Sequence, residues 1–431
     1  MIDTALHFLF GLPPEQFIRT FWLLILVEVP RFFVSYAVVI GAWLFGRERG
    51  PPVPPAGGRE AADPALGVSV LVPAHNDADS VARTVISLRE QPHRPLEIIV
   101  ADDGSTDATA SVCRRLERQG MIDRYVRADS RGGKSSALNT AFSLARQPVL
   151  LLTDADTTFD RDAVAVAVEH FRDPDVGAVG GTLRVRNADA TLVTRLQQIN
   201  YFIAIMAGRL VNNMLGFFFV GSGAFSMYRR TAVSGVGGWD FGPGEDGDMM
   251  VRLRLAGWTA LFEPHAVCRT IAPESIARLI RQRVRWNRSL IRNRFRKARR
   301  YALVPRQKAF DGQLAAGMVD GFIFTALIPF LFLVYLVDQF LLYGIWFIAV
   351  LLAVQIMYVT LQVAKYLLLL ALSPDKRTDL RYLPFVPLYT VANVYLLRWV
   401  RLYAVVNELV FRGSYKDPFV PAKVRRQAPR Y

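Results

Sequence analysis

Apolar residues in this 431-residue chain pile up in two places, between Phe17 and Phe45 and again from Leu314 onward, while residues 67–272 read as ordinary globular sequence. That unevenness limits the fold more than any single motif does. The stretch 21–45 is long enough, at ~1.5 Å per helical residue, to cross ~30 Å of hydrocarbon. It is too long for a signal-peptide core, and no basic segment precedes it. Two more spans are predicted at 313–337 and 340–370, joined by a tight turn at Asp338 and Gln339. The chain is therefore expected to combine one large soluble domain with membrane-crossing helices.

Lysine and arginine outnumber the acids by 52 to 37, a formal net charge of +15. Such a balance suits nucleic acid, anionic lipid or an anionic substrate. Here the arginines crowd beside apolar segments, above all between Arg281 and Arg300. That placement favours membrane lipid at the cytoplasmic leaflet and argues against nucleic acid. Arg47, Arg49 and Arg59 follow the first span while Asp3 and Glu15 precede it, so the charge rule puts the N-terminus outside and the following chain in the cytoplasm. Within the span, Glu28 and Arg31 stand three apart, a spacing that predicts an intrahelical pair in a kinked span, with a functional intramembrane charge as the alternative. Cys113 and Cys268 have no metal-ligand spacing, and no disulfide framework is indicated.

The expected organisation is an N-terminal segment with its span at 1–46, a Pro/Gly-rich linker at 47–66 and a soluble domain at 67–272. Amphipathic interface helices follow at 273–311, then transmembrane and interfacial helices at 312–411 and a basic cytoplasmic tail at 412–431. Pro384, Pro387, Arg398, Arg401 and Glu408 interrupt the segment 382–411, which reads as interfacial or re-entrant. In the soluble part, strands are predicted at 68–72, 96–101, 125–127, 149–153 and 176–179, with helices at 80–90, 107–119, 134–146 and 160–171. This alternation predicts an α/β fold with a mostly parallel sheet, which binds ligands beyond the carboxyl ends of its strands.

Six clusters, in a sensible chain order, are candidates for the chemistry. Pro73, His75 and Asn76 end the first strand, and Asp102 and Asp103 end the second, before Gly104-Ser105-Thr106-Asp107. Each could be a plain turn or helix cap, but adjacent acids at a strand end repel and sit where ligands bind. Gly132-Gly133-Lys134 opens a helix and could cradle phosphate. Asp154 and Asp156 offer hard oxygen ligands suited to Mg²⁺ or Mn²⁺. Glu245 and Asp246 stand in the first turn of a helix, where they either complement its dipole or supply a general base. Gln282, Arg285 and Trp286, related by three and four positions, share one helix face: an amide, a guanidinium fork and an indole platform.

In this order, Asp-Asp-Gly, Asp-Ala-Asp, Glu-Asp and Gln-x-x-Arg-Trp strongly resemble the family 2 glycosyltransferases, and within them the processive membrane synthases of cellulose, chitin, hyaluronan and poly-N-acetylglucosamine. The resemblance implies a GT-A fold, inversion at the anomeric carbon, a UDP-sugar donor and a glycan acceptor, with export or accessory proteins as candidate partners. It implies Asp102 and Asp103 at the uridine, and Asp154 and Asp156 at the diphosphate and metal. Asp246 is then the base, with Pro73, Asn76, Lys134, Gln282 and Arg285 on the donor and Trp286 and Glu245 at the acceptor. Gly221 and Ser222 lie where the family forms the acceptor wall. Val220 stands where cellulose and hyaluronan synthases have cysteine, and His75-Asn76-Asp77 replaces the commoner Tyr-Asn-Glu. The rival readings are a non-processive transferase using a lipid or polyprenyl-phosphate acceptor and a membrane protein that binds nucleotide sugar without turnover.

Overall fold

The computed structural model describes residues 11–44, 66–216, 221–242, 244–293, 319, 321–373, 375–417 and 420–427. The linker at 47–65, Phe219 and Val220 lie outside them.

Residues 66 to 272 form a sheet of eight strands: β1 Val68–Ala74, β2 Leu96–Asp102, β3 Arg124–Arg127, β4 Val149–Leu152, β5 Thr158–Phe159, β6 Val176–Val185, β7 Ser226–Arg229 and β8 Thr259–Thr270, in the spatial order β3-β2-β1-β4-β7-β6-β8-β5. The first four strands in space are parallel, as are β6 and β8. Strand β7 runs against β4 and β6, and β5 runs against β8. The sheet is thus mostly parallel, as the α/β alternation requires. Every residue of β1 and β4 is buried, because helices cover both faces. Helices form at Val81–Arg89, Thr109–Arg118, Lys134–Leu144 and Ala163–Val168, within the stretches where the sequence places them.

Three strands had no clear sequence signal. β5 has two residues, β7 has four, and β8 carries the polar run Glu263-Pro264-His265 in its middle. The pairing of β6 with β8 slips there, from Gly181 opposite Glu263 to Thr182 opposite Val267, and that bulge breaks the alternation a strand would show.

Outside the sheet the chain is helical. Pro14–Leu23, a π-helical turn Leu24–Glu28 and Val29–Leu44 run on as one helix. Among the described residues, two helical stretches are long and apolar enough to cross a membrane: Pro14–Val38, mean hydropathy 1.7, and Thr325–Ala371, mean hydropathy 2.3. The second folds on itself, Ile328–Tyr343 packing on Phe347–Leu372 through Phe332, Tyr335, Val350 and Val354. Its turn lies at Gly344–Trp346, where Gly344 has φ +54°, and not at Asp338 and Gln339. Gln339 is instead buried inside the helix, its amide donating to the Asp338 carboxylate and to the Arg19 carbonyl, so a polar pair that resembles a turn serves as a helix contact.

The side chain of Arg31, the expected partner of Glu28, lies outside the described residues, and Glu28 has a distant partner. Glu28 Oε1 lies 2.8 Å from Arg398 Nη2 and also accepts from the Tyr358 hydroxyl at 3.3 Å. The segment expected to be interfacial or re-entrant is helical from Val386 to Phe411, with a π-helical stretch Ala392–Leu397, and Val394 packs into the same apolar core as Phe21 and Leu24. The basic helix after the sheet spans Ile276–Ile291, is capped by Ser275, and packs on the Arg398–Phe411 helix through Ile280, Val284, Val400 and Ala404. The tail folds back toward the sheet, Lys423 donating to Ser130 at 2.6 Å.

Candidate functional site

The parallel strands β1, β2 and β4 end side by side, so the residues after Ala74, Asp102 and Leu152 meet at one edge of the sheet. The two acids of the Asp-Asp pair take different roles there. Asp102 is buried. Its Oδ1 accepts from the Ser105 amide at 2.8 Å and its Oδ2 from the Tyr125 hydroxyl at 2.8 Å. Asp103 accepts from the amides of Gly132 and Gly133 at 2.6 and 2.7 Å, which anchors the loop that opens the Lys134–Leu144 helix. Gly133 has φ +88°, a conformation that favours glycine. Asp103 lines the cavity described below and Asp102 does not.

Asn76 sits at φ +60° and its side-chain oxygen accepts from the Thr106 amide at 2.8 Å, so it holds the turn after β2, and it does not line the cavity. The next residue, Asp77, does line it, a placement that sequence spacing did not single out. Pro73 and His75 line it too.

Lys134 stands at the centre of the acids. Its ammonium lies 2.5 Å from Asp154 Oδ1 and 3.1 Å from Glu245 Oε1. Burial alone would lower the pKa of the lysine, but Asp154 and Glu245 hold it well above the usual lysine range. Asp156 is turned to the hydroxyls of Thr157 and Thr270, each 3.3 Å away. Burial, then the charges of Asp154 and Asp77, pushes Asp156 up to about 6. Asp246, at the head of the Glu245–Leu255 helix, accepts from its neighbour Gly247 at 2.7 Å and from the Gly223 amide at 3.1 Å. Burial, then the adjacent Glu245, pushes it up to about 6 as well, against the pull of Lys134. Asp248, third acid of that turn, is buried and paired with Arg252 at 2.9 Å, which removes it from the chemistry.

The wall from Gly221 to Gly223 closes the acid cluster. Ser222 is buried, its amide donating to the Ser226 hydroxyl at 2.8 Å. A Cβ on Gly223 would collide with the Lys134 ammonium and stand 3.4 Å from Asp154 Oδ2. Any side chain there would push the lysine off its acids.

Gln282, Arg285 and Trp286 face the same cavity, as their helical spacing predicts. Arg283 joins them: its guanidinium lies 4.6 Å from the Trp286 ring centroid and 6.0 Å from that of Tyr201. Sequence spacing did not mark Arg283, because only the fold brings Tyr201 beside the helix. All these groups line one cavity of about 1280 Å³, which continues from the acids past Tyr201 and Asn200 into the apolar helices, as far as Tyr358 and Arg398.

A family model described as "Glycosyltransferase like family 2" matches residues 64–289, the sheet and most of the helix that carries Trp286. The chain belongs to this glycosyltransferase family. Among its relatives, poly-beta-1,6-N-acetyl-D-glucosamine synthases of Staphylococcus aureus (strain MSSA476) and Staphylococcus epidermidis are each 32% identical over 222 residues, 51% of this chain and 53% of theirs. The chain thus matches about half the length of these curated relatives. A mannosyltransferase from Pyrobaculum calidifontis, solved in complex with GDP-Man and Mn²⁺, has a similar fold: TM-score 0.59 at 22% identity, over 87% of this chain and 99% of that one.

Proposed function

We propose that this glycosyltransferase is a processive, inverting β-synthase, embedded in the inner membrane, that polymerises UDP-N-acetylglucosamine at the cytoplasmic face and passes the product outward. UDP-glucose is the second choice of donor. The observation that carries the reading is the single cavity, which joins the acid cluster and the Gln282–Trp286 face to a passage among apolar helices. Addition of one sugar to a small acceptor needs no such depth. The similarity to staphylococcal poly-N-acetylglucosamine synthases supports the donor.

In this reading the acceptor hydroxyl attacks the anomeric carbon, the bond to the diphosphate breaks, and Asp246 takes the hydroxyl proton. A carboxylate with a pKa near 6 is a stronger base than an ordinary one yet is still ionised at neutral pH. The Gly223 and Gly247 amides hold its two oxygens in place. Gln282 and Arg285 bind the donor diphosphate, and Trp286 offers its ring face to the acceptor sugar. Lys134 adds positive charge where the leaving group departs.

The acid cluster fits a divalent cation. Burial first, and then repulsion from Asp154 and Asp77, raises the pKa of Asp156, and a cation would relieve that repulsion. Among the described residues no group of three or more His, Cys, Asp or Glu could hold a metal by itself. Asp154 and Asp156 would therefore share Mg²⁺ or Mn²⁺ with the donor phosphates, the usual arrangement for magnesium. When bound, the ion supplies charge neutralisation for the departing diphosphate.

Product analysis with labelled UDP-sugars tests the reading. The expected product is a high-molecular-weight polymer from UDP-N-acetylglucosamine. A single sugar added to a lipid would overturn processivity and support the non-processive rival, and donor binding without UDP release would support the non-catalytic one.

A further inference from the structure

The cavity stops at one level among the helices. Along the N-terminal helix it is lined from Val27 to Tyr36 and by no residue of 14–26; along Phe347–Leu372 its lining begins at Tyr358, and along Ile328–Tyr343 only Ile328 touches it. Beyond that level lies a tightly buried apolar cluster that includes Phe21, Leu24, Phe332, Tyr335, Val350 and Val354. At the boundary sit Glu28, Tyr358 and Arg398, each at least nine-tenths buried and each on a different helix. Arg398 binds Glu28 at 2.8 Å and lies 4.4 Å over the Phe332 ring, while its Nη1 is buried without a hydrogen-bond partner among the described residues.

We infer that the Glu28–Arg398 pair is a gate, which parts to let a hydroxyl-rich chain through and closes behind it. The inference rests on the polymer-exporting reading above. An ion pair held among apolar helices is expensive to break into its separate charges. A saccharide changes that balance, because each hydroxyl both donates and accepts and can satisfy the carboxylate and the guanidinium while they stand apart. Water and ions at the cavity end meet a paired charge backed by apolar side chains. The backbone supplies the movement. Glu28 ends the π-helical turn Leu24–Glu28, and Arg398 directly follows the π-helical stretch Ala392–Leu397. A π turn carries one residue more than an α turn, so its migration along a helix rotates the side chain beside it by roughly 100° at 3.6 residues per turn. Both partners can thus swing away without either helix unfolding.

The test uses the full-length protein in proteoliposomes with donor outside, reading UDP release, product length and protection of product from an added glycosidase. In a Glu28→Cys/Arg398→Cys variant, a short bis-methanethiosulfonate reagent ties the two positions together through a disulfide to each cysteine, with sulfinate leaving, and a reductant opens those disulfides and frees them; native Cys113 and Cys268 are buried. The tied protein should release UDP briefly and make only short oligomers, with loss of all protected polymer, and reduction should restore long protected chains. Equal amounts of protected polymer in the tied and reduced states would overturn the gate alone, leaving the synthase reading intact. Should the cysteine variant not fold, charge reversal carries the same test: Glu28→Arg should hold the passage open, so that vesicles leak an entrapped fluorescent dye, and adding Arg398→Glu should restore the seal, whereas equal leak from the two would overturn the gate. A wild-type protein that stops after one sugar would overturn the polymer reading, and the gate with it.

Discussion

Arg184, the penultimate residue of β6, and Asp379, in the short helix Lys376–Leu380 that follows the apolar hairpin, form a two-point ion pair with both N···O distances at 2.9 Å. Both residues are buried, and the pair ties the transferase sheet to the helices beside it. Breaking a buried pair from one side leaves a bare charge, at a typical cost of ~3–5 kcal/mol. Asp379→Ala should lower the melting temperature of the purified protein in detergent by several degrees and reduce activity through loss of fold. An unchanged melting curve would show that the two parts hold together without this clasp.

Asp246→Asn should bind donor nearly normally and turn over ~10²–10⁴-fold more slowly, the usual loss on removing a general base. The pH profile gives a second measure. The base works only when deprotonated, so wild-type kcat should rise with pH through about 6, the raised value to which burial and Glu245 bring Asp246. Asp156, also near 6, is expected to add to the same acid limb. A rate that is level from pH 5 to 8 would remove Asp246 from the role of base.

EDTA should silence the wild-type enzyme until Mg²⁺ or Mn²⁺ is restored, and Asp156→Asn should abolish UDP release altogether. The ground is the crowding of Asp77, Asp154 and Asp156 at one strand edge with Lys134 paired to Asp154. Full activity in EDTA would assign charge neutralisation to Lys134 and Arg285 instead.

Trp286→Ala should reduce polymer formation more than UDP release, since an aromatic face holds a sugar by its apolar C–H side and keeps the chain end beside Asp246 between additions. UDP release set against high-molecular-weight product in proteoliposomes is the measurement. Equal loss of both would place Trp286 in the donor site or in folding, where it packs with Arg283 and Tyr201.

Short-range pattern was enough to read much of this protein. Apolar runs and helical stretches follow local periodicity, so the strands from Val68 to Leu152, the helices between them and the apolar ends were legible from spacing alone. Lys134 and Asp154 meet in one cavity by the same logic, because parallel strands deliver their carboxyl ends to one edge, whereas Asp246 and Trp286 reach that cavity on helices that follow β7 and β8. Spacing could not show which acids face the cavity. Asp102 and Asp103 are adjacent and chemically alike, and each spends both oxygens on neighbours, yet of the two it is Asp103 that lines the cavity. Nor could it reveal partners far along the chain: Glu28 has Arg31 at helical spacing, but its ion pair is with Arg398, 370 residues away. Where hydrogen-bond capacity is spent, and which buried charges meet, depends on contacts between elements that are remote in sequence, and only the packed tertiary structure decides those.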